Sequence, residues 1–217
     1  MTNNYSLFTF QRRSSFIFIL VCVDDIIIAG NDSSAIIHFK CFFQDRFHIK
    51  DIGQIKYFLG IEVAHSRQGI FISKGKYTLA SLSDTGLLAA RPTDFPMEQQ
   101  LKLSNEQGEL LQNPFPYQLL VGRLIYLTIT HPDIMFVVHT LSQFMHAPQK
   151  PHLDVAMQVL QYLKTSPVQG LLYFAMSSLS LMAYYDSDWG SCPMIRRSTT
   201  GVCTMLGDSL TSWKSKK

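Results

Sequence analysis

The chain has 217 residues, 47% of them hydrophobic and 16% charged, a balance that excludes an intrinsically disordered protein. Lys and Arg number 19 against 16 Asp and Glu, and the resulting charge of +3 permits a nucleic-acid partner without requiring one. Cysteines at 22, 41, 192 and 203 lack paired spacing, which argues against a zinc ribbon or a disulfide framework.

Phe16–Val23 is unbroken by charge and rich in aromatic and β-branched residues, so it predicts a strand buried on both faces. Its length falls well short of the roughly 20 residues that cross a bilayer, and no membrane association is expected. Arg12 and Arg13 precede the run, but Asp24 and Asp25 follow it with no small-residue cleavage site, which favours a strand over a signal peptide. Ile26–Ala29 resumes the apolar run, so strand, two acids and strand predict a hairpin with carboxylates at its tip. Asp32 or Ser33 is placed to cap a helix carrying Ile36, Phe39, Phe43 and Phe47 at helical spacing. Ile55–Val63 predicts a further strand, His65–Gly69 a turn, Ile70–Ser73 the return strand, and Tyr77–Asp84 a helix stopped by Gly86.

Residues 91–116, with Pro92, Pro96, Pro114 and Pro116 among polar residues, predict a linker wrapped on the surface. Helices are expected over Tyr117–Thr130, Asp133–His146 and His152–Thr165, their apolar faces formed by Leu120, Leu124 and Leu127, by Val137, Val138 and Leu141, and by Ala156, Leu160 and Leu163. Strand patterning returns at Leu171–Phe174, Leu181–Asp186, Gly201–Leu206 and Leu210–Trp213.

The acidic pair is the first chemical signal. Adjacent carboxylates beside an apolar strand repel each other, and a divalent cation relieves that cost. On residue type alone, a polar turn with two solvated acids is the better explanation of Asp24 and Asp25. A second signal is the run of Lys40, Arg46, Lys50, Lys56, Arg67, Lys74, Lys76 and Arg91 with Tyr57, Phe58 and Tyr77 among them. Basic residues interleaved with aromatics suit a nucleic-acid groove, and equally a solvated surface over a core. His38, Cys41 and His48 lack the i, i+4 spacing of a helical metal site. Asp186-Ser187-Asp188 also matches the short D-x-D of metal-dependent glycosyltransferases, a match that chance supplies often.

Cys22-Val23-Asp24-Asp25 resembles the Y-V-D-D signature of reverse transcriptases. Further blocks resemble the copia-type long-terminal-repeat retrotransposon Pol polyprotein, in the family's order. They are Ile52–Val63, Pro116–Leu127, Thr130–Ile134, Leu141–Met145, Tyr185–Gly190, Arg196–Gly201 and Ser212–Lys217. The resemblance implies an α+β fold: a partial reverse-transcriptase palm with thumb and connection helices and an incomplete ribonuclease H-like β-sheet. It places palm and thumb start in residues 1–90, a helical thumb or connection region in 91–170, and the first ribonuclease H strands in 171–217. It implies catalytic and metal-binding roles for Asp24, Asp25 and Asp186, with Asp188 as a further metal ligand, and Mg²⁺ or Mn²⁺ as the cofactor. It assigns nucleic-acid contacts to Phe58, Leu59, Gly60, Lys74 and Lys76, the first three resembling the segment that grips the primer end. Expected partners are an RNA/DNA primer–template, dNTP in the intact family and the remaining polyprotein segments. The expected location is cytoplasmic or nuclear, or organellar if the gene lies there.

Two departures stand out. Cys22 occupies the place of the family's Tyr, and His131 that of its Arg. Residues 1–23 contain no Asp or Glu, and the last Glu is Glu109. The resemblance therefore implies a truncated, catalytically incomplete fragment, with a non-catalytic nucleic-acid-binding remnant or a partner of an intact polymerase as the alternatives.

Overall fold

The computed structural model describes residues 6–99, 101–106, 108–190 and 196–216. Cys192 and Lys217, noted above, lie outside the described residues. The chain divides into two compact units, Met1–Phe58 and Leu59–Lys217. Together they make a mixed α+β protein of helices and small antiparallel sheets. Among the described residues no helix is long and apolar enough to cross a membrane.

The first unit opens with an antiparallel meander of β1 (Leu7–Arg12), β2 (Ser15–Cys22) and β3 (Asp25–Gly30), in that spatial order. Two-residue turns join them, and Arg13 and Val23 take the left-handed backbone, at φ 55° and 51°, that such tight hairpins favour. The expected acidic hairpin is present, with one adjustment. Val23 and Asp24 form the turn, while Asp25 already stands in β3 opposite Cys22. The expectation that Phe16–Val23 is buried on both faces is corrected: Ile17 and Ile19 are buried, whereas Phe16 and Phe18 are exposed. In an antiparallel meander the side chains alternate between two faces, and one of them can stay open. β1 has no counterpart among the predicted strands, and each of its residues is exposed.

Helix α1 (Ser33–Arg46) follows and packs against β3. Asp32 caps it as expected, its Oδ1 accepting from the Ala35 N–H at 3.0 Å and its Oδ2 from the Ser15 hydroxyl at 2.8 Å. These bonds, the Ala35 N–H foremost, hold the Asp32 carboxyl below the usual carboxylate range. α1 buries no residue; the rings of Phe39, Phe42, Phe43 and Phe47 pack on one another, and the Arg46 guanidinium lies 4.4 Å from the Phe42 centroid. The expected continuous strand Ile55–Val63 is also corrected. Leu59 and Gly60 adopt φ of 46° and 74°, which breaks the run into β4 (Tyr57–Phe58) and β5 (Ile61–His65).

In the second unit, β5, β6 (Gly69–Ser73) and β7 (Gly170–Phe174) form consecutive antiparallel neighbours. A Cβ on Gly170 would strike the Ile72 carbonyl across this ladder, so the close approach requires glycine. Between β6 and β7 run α2 (Gly75–Asp84), α3 (Phe115–Leu127), α4 (Met135–Ser142) and α5 (Lys150–Leu163). Their facing stripes make one core that includes Leu82, Leu124, Leu127, Leu141, Val159 and Leu160. Segment 91–116 is more than a surface wrap, because Leu103 enters this core at 6% exposure. The Tyr117 hydroxyl donates to the Leu141 carbonyl at 2.7 Å, tying α3 to α4. His152 stacks on Phe144, accepts from the Gln149 N–H at 3.0 Å, and closes a capping box at the start of α5. A separate sheet of β8 (Leu181–Ser187), β9 (Thr200–Leu206) and β10 (Ser209–Lys216) has the order β10-β9-β8. The Trp213 indole donates to the Thr128 carbonyl at 2.8 Å, fastening β10 to the end of α3.

Candidate functional site

The sequence-derived candidates fall at three places. The first is the β2–β3 tip in the first unit, where Asp24 and Asp25 are both exposed. Their position follows from the apolar strands on either side, which leave the acids at the hairpin tip, Asp24 in the turn and Asp25 at the first position of β3. Carboxylate oxygens are hard donors that suit Mg²⁺ or Mn²⁺. Among the described residues, however, no group of three or more His, Cys, Asp or Glu is placed to hold a metal. Two neighbouring acids on one turn do not by themselves fit a two-metal centre.

The second place is a groove of about 860 Å³ in the second unit, between the start of α4 and the β8–β10 sheet. Asp186, Asp188, Asp133, Trp213 and Lys214 contribute to its lining. Asp186 stands in β8 opposite Gly201, with its Oδ1 accepting from the Ser187 N–H at 2.9 Å. Asp188 Oδ1 accepts from the Thr199 N–H at 2.9 Å. Asp133 accepts from the Tyr162 hydroxyl at 2.7 Å, and this bond is the main reason that hydroxyl is pushed up to about 12. The groove thus gathers both predicted acids of this region and adds Asp133, which sequence reasoning treated only as a helix start.

The third place is the turn at Leu59–Gly60. Leu59 is 44% exposed, and its carbonyl accepts a hydrogen bond from the Tyr126 hydroxyl of α3. Phe58, half-buried, closes the first unit. Lys76 is exposed at the start of α2, and its backbone N–H donates to Glu62 Oε1 at 2.7 Å. Lys74, expected beside a phosphate, is instead fully buried. Its Nζ donates to the Tyr126 carbonyl at 2.9 Å and lies 2.8 Å from the centroid of that residue's ring. Burial lowers its pKa from 10.5 to about 8. Within the basic stretch, Lys40 is paired with Asp51 at 2.9 Å, a contact that lowers the Asp51 pKa. Sequence reasoning missed Tyr126, because it lies off the Leu120–Leu124–Leu127 stripe and carries no periodic signal.

His131 is fully buried beside this region, with Nδ1 3.0 Å from the Thr130 hydroxyl. Its Nε2 has no hydrogen-bond partner among the described residues. Burial lowers its pKa, opposed by Asp133 and assisted by the charge of Lys74.

A family profile described as reverse transcriptase (RNA-dependent DNA polymerase) matches residues 2–99. The chain is 41% identical over 212 residues to the retrovirus-related Pol polyprotein from transposon RE2 of Arabidopsis thaliana, covering 98% of this chain and 15% of that protein. It is 40% identical to the corresponding polyprotein from transposon RE1 of the same plant, over 98% of this chain and 14% of that protein. It is also similar to an uncharacterized mitochondrial protein of Arabidopsis thaliana, at 36% identity over 92% of this chain and 83% of that protein. The chain therefore spans 15% and 14% of the lengths of the two polyproteins. No solved structure matches it.

Proposed function

The chain belongs to the reverse transcriptase family of copia-type retrotransposon Pol polyproteins, and from that premise we propose that its 217 residues form a nucleic-acid-binding part of a polymerase whose catalytic centres need further segments. The observation that supports this reading is the exposed Asp24–Asp25 pair on the β2–β3 tip of a chain that matches 15% and 14% of the lengths of the two Pol polyproteins. In this reading residues 1–90 act as palm and thumb start, 91–170 as thumb or connection, and 171–217 as the first ribonuclease H strands. Asp24, Asp25, Asp186 and Asp188 are the acids each centre would draw on. Phe58, Leu59, Gly60 and Lys76 meet the primer–template, and Lys74 acts from behind them. Other polyprotein segments are the protein partners. The chain resides in the cytoplasm or nucleus, or in an organelle that encodes it, and imaging of a tagged chain tests this.

Fluorescence anisotropy with an RNA/DNA primer–template at two salt concentrations tests the binding. Affinity is expected to fall as salt rises, because phosphate neutralisation releases counterions. Primer extension and hybrid cleavage, each with Mg²⁺ or Mn²⁺, test the second half of the reading, and no turnover is expected from the chain alone. Turnover that Asp24→Asn or Asp186→Asn abolishes overturns it. Turnover that appears only when a fragment carrying upstream palm residues is added supports it.

A further inference from the structure

We propose that Tyr126 is a positioning residue for the Leu59–Gly60 turn, holding from behind the segment that meets the primer end. The inference rests on the reading of that turn given above and goes beyond it, because nothing in the sequence pattern links residue 126 to residue 59.

The turn needs an external restraint. Leu59 and Gly60 take consecutive left-handed conformations, at φ of 46° and 74°. Leucine resists that conformation, and it persists only where surrounding groups over-determine it. The Tyr126 hydroxyl supplies such a restraint by donating to the Leu59 carbonyl. Gly60 carries the same imprint: a Cβ there would collide with the Tyr126 hydroxyl, so this position requires glycine for space as well as for its φ.

Tyr126 is itself held at several points. The Lys74 ammonium binds its backbone carbonyl at 2.9 Å and lies over its ring, 2.8 Å from the centroid. The Tyr77 ring meets it edge-on, with centroids 4.8 Å apart and planes at 68°. A cation over an aromatic face and a T-shaped ring contact both fix the orientation of the ring plane. Lys74 and Tyr77 flank the start of α2, so α2 and α3 together aim the hydroxyl at the turn. Leu59 meanwhile keeps 44% of its surface exposed. The turn presents its side chain outward while its carbonyl is tied inward. In this arrangement Lys74 serves the nucleic-acid surface through Tyr126 and touches no phosphate.

The test uses the full chain and two probes, a DNA primer–RNA template with a recessed 3′ end and a blunt duplex of equal length. Affinities are compared for the unaltered chain, Leu59→Ala, Tyr126→Phe, Gly60→Ala and the Gly60→Ala/Tyr126→Phe pair. The expected result is that Tyr126→Phe cuts the preference for the recessed end by about fivefold, the scale of one hydrogen bond, and leaves blunt-duplex binding unchanged, and that Leu59→Ala, which keeps the carbonyl and removes the exposed side chain, lowers the preference as well. General destabilisation would lower both affinities together. Gly60→Ala is expected to cost less in the Tyr126→Phe background, since the colliding hydroxyl is then absent. Hydrogen exchange at the amides of residues 59–63 should quicken in Tyr126→Phe. Loss of preference in Leu59→Ala with none in Tyr126→Phe overturns the positioning role and leaves the reading of the turn intact. If the unaltered chain shows no preference, or if Leu59→Ala leaves it unchanged, the reading of the turn fails and the inference fails with it.

Discussion

Val23 sits at the hairpin tip beside the two acids, with φ 51° and 91% of its surface exposed. A β-branched side chain gains nothing from packing there and resists the left-handed backbone. Val23→Gly should therefore stabilise the first unit by roughly 0.5–1 kcal/mol, read as a higher urea midpoint. Lys74 makes a second residue-scale prediction. Its pKa is about 8 in the folded chain against 10.5 when unfolded, so between those values the unfolded state binds the extra proton. Stability should rise as pH increases from 8 towards 10.5, and Lys74→Met should remove that contribution. Above 10.0 the trend is opposed by Tyr117 and Tyr162, whose hydroxyls the fold keeps protonated longer than the unfolded chain does. Denaturation midpoints measured across this range in both proteins check the sign.

Among the elements, α3 and α4 share an apolar core and are tied by one buried polar contact. Tyr117→Phe leaves the Leu141 carbonyl without its 2.7 Å donor inside the core. The loss should be about 1 kcal/mol by chemical denaturation, with the helical signal in circular dichroism preserved. These helices were legible because Leu120, Leu124 and Leu127, and likewise Val137, Val138 and Leu141, recur at the spacing of a buried stripe. The acidic hairpin was legible for a related reason, since two apolar strands leave only a tip for charge. β1 was not: Phe8 and Phe10 alternate with Thr9 and Gln11, but the strand is short, runs into Arg12 and Arg13 and places no residue in a core, so it stands out poorly beside the long apolar run that follows. The site was legible as residue types and not as geometry. Asp186 and Asp188 stand close in sequence, whereas Asp133 reaches the same groove from the turn that leads into α4. Lys74 looked like a surface base in a basic stretch, and only Tyr126 of α3 explains why it turns inward.

At the scale of the molecule, burial is unequal between the two units. The contiguous core, from Leu82 to Leu163, lies wholly within residues 59–217, whereas Ile17 and Ile19 are the buried large apolar residues described in Met1–Phe58. A chain of residues 59–217 should retain a cooperative thermal transition close to that of the full chain, while residues 1–58 alone should melt broadly. Calorimetry on both fragments decides this, and a non-cooperative 59–217 fragment would contradict it. The pairing of β6 with β7 bears on how the molecule comes to exist. Gly69 meets Phe174 and Ser73 meets Gly170, so the partner strand is synthesised only after every helix between them. On the ribosome, at about 5–20 residues per second, β6 waits for seconds with an unsatisfied edge. A chain released before Phe174 would keep that edge open to foreign strands, which makes this ladder the step at which a nascent chain is most exposed to aggregation.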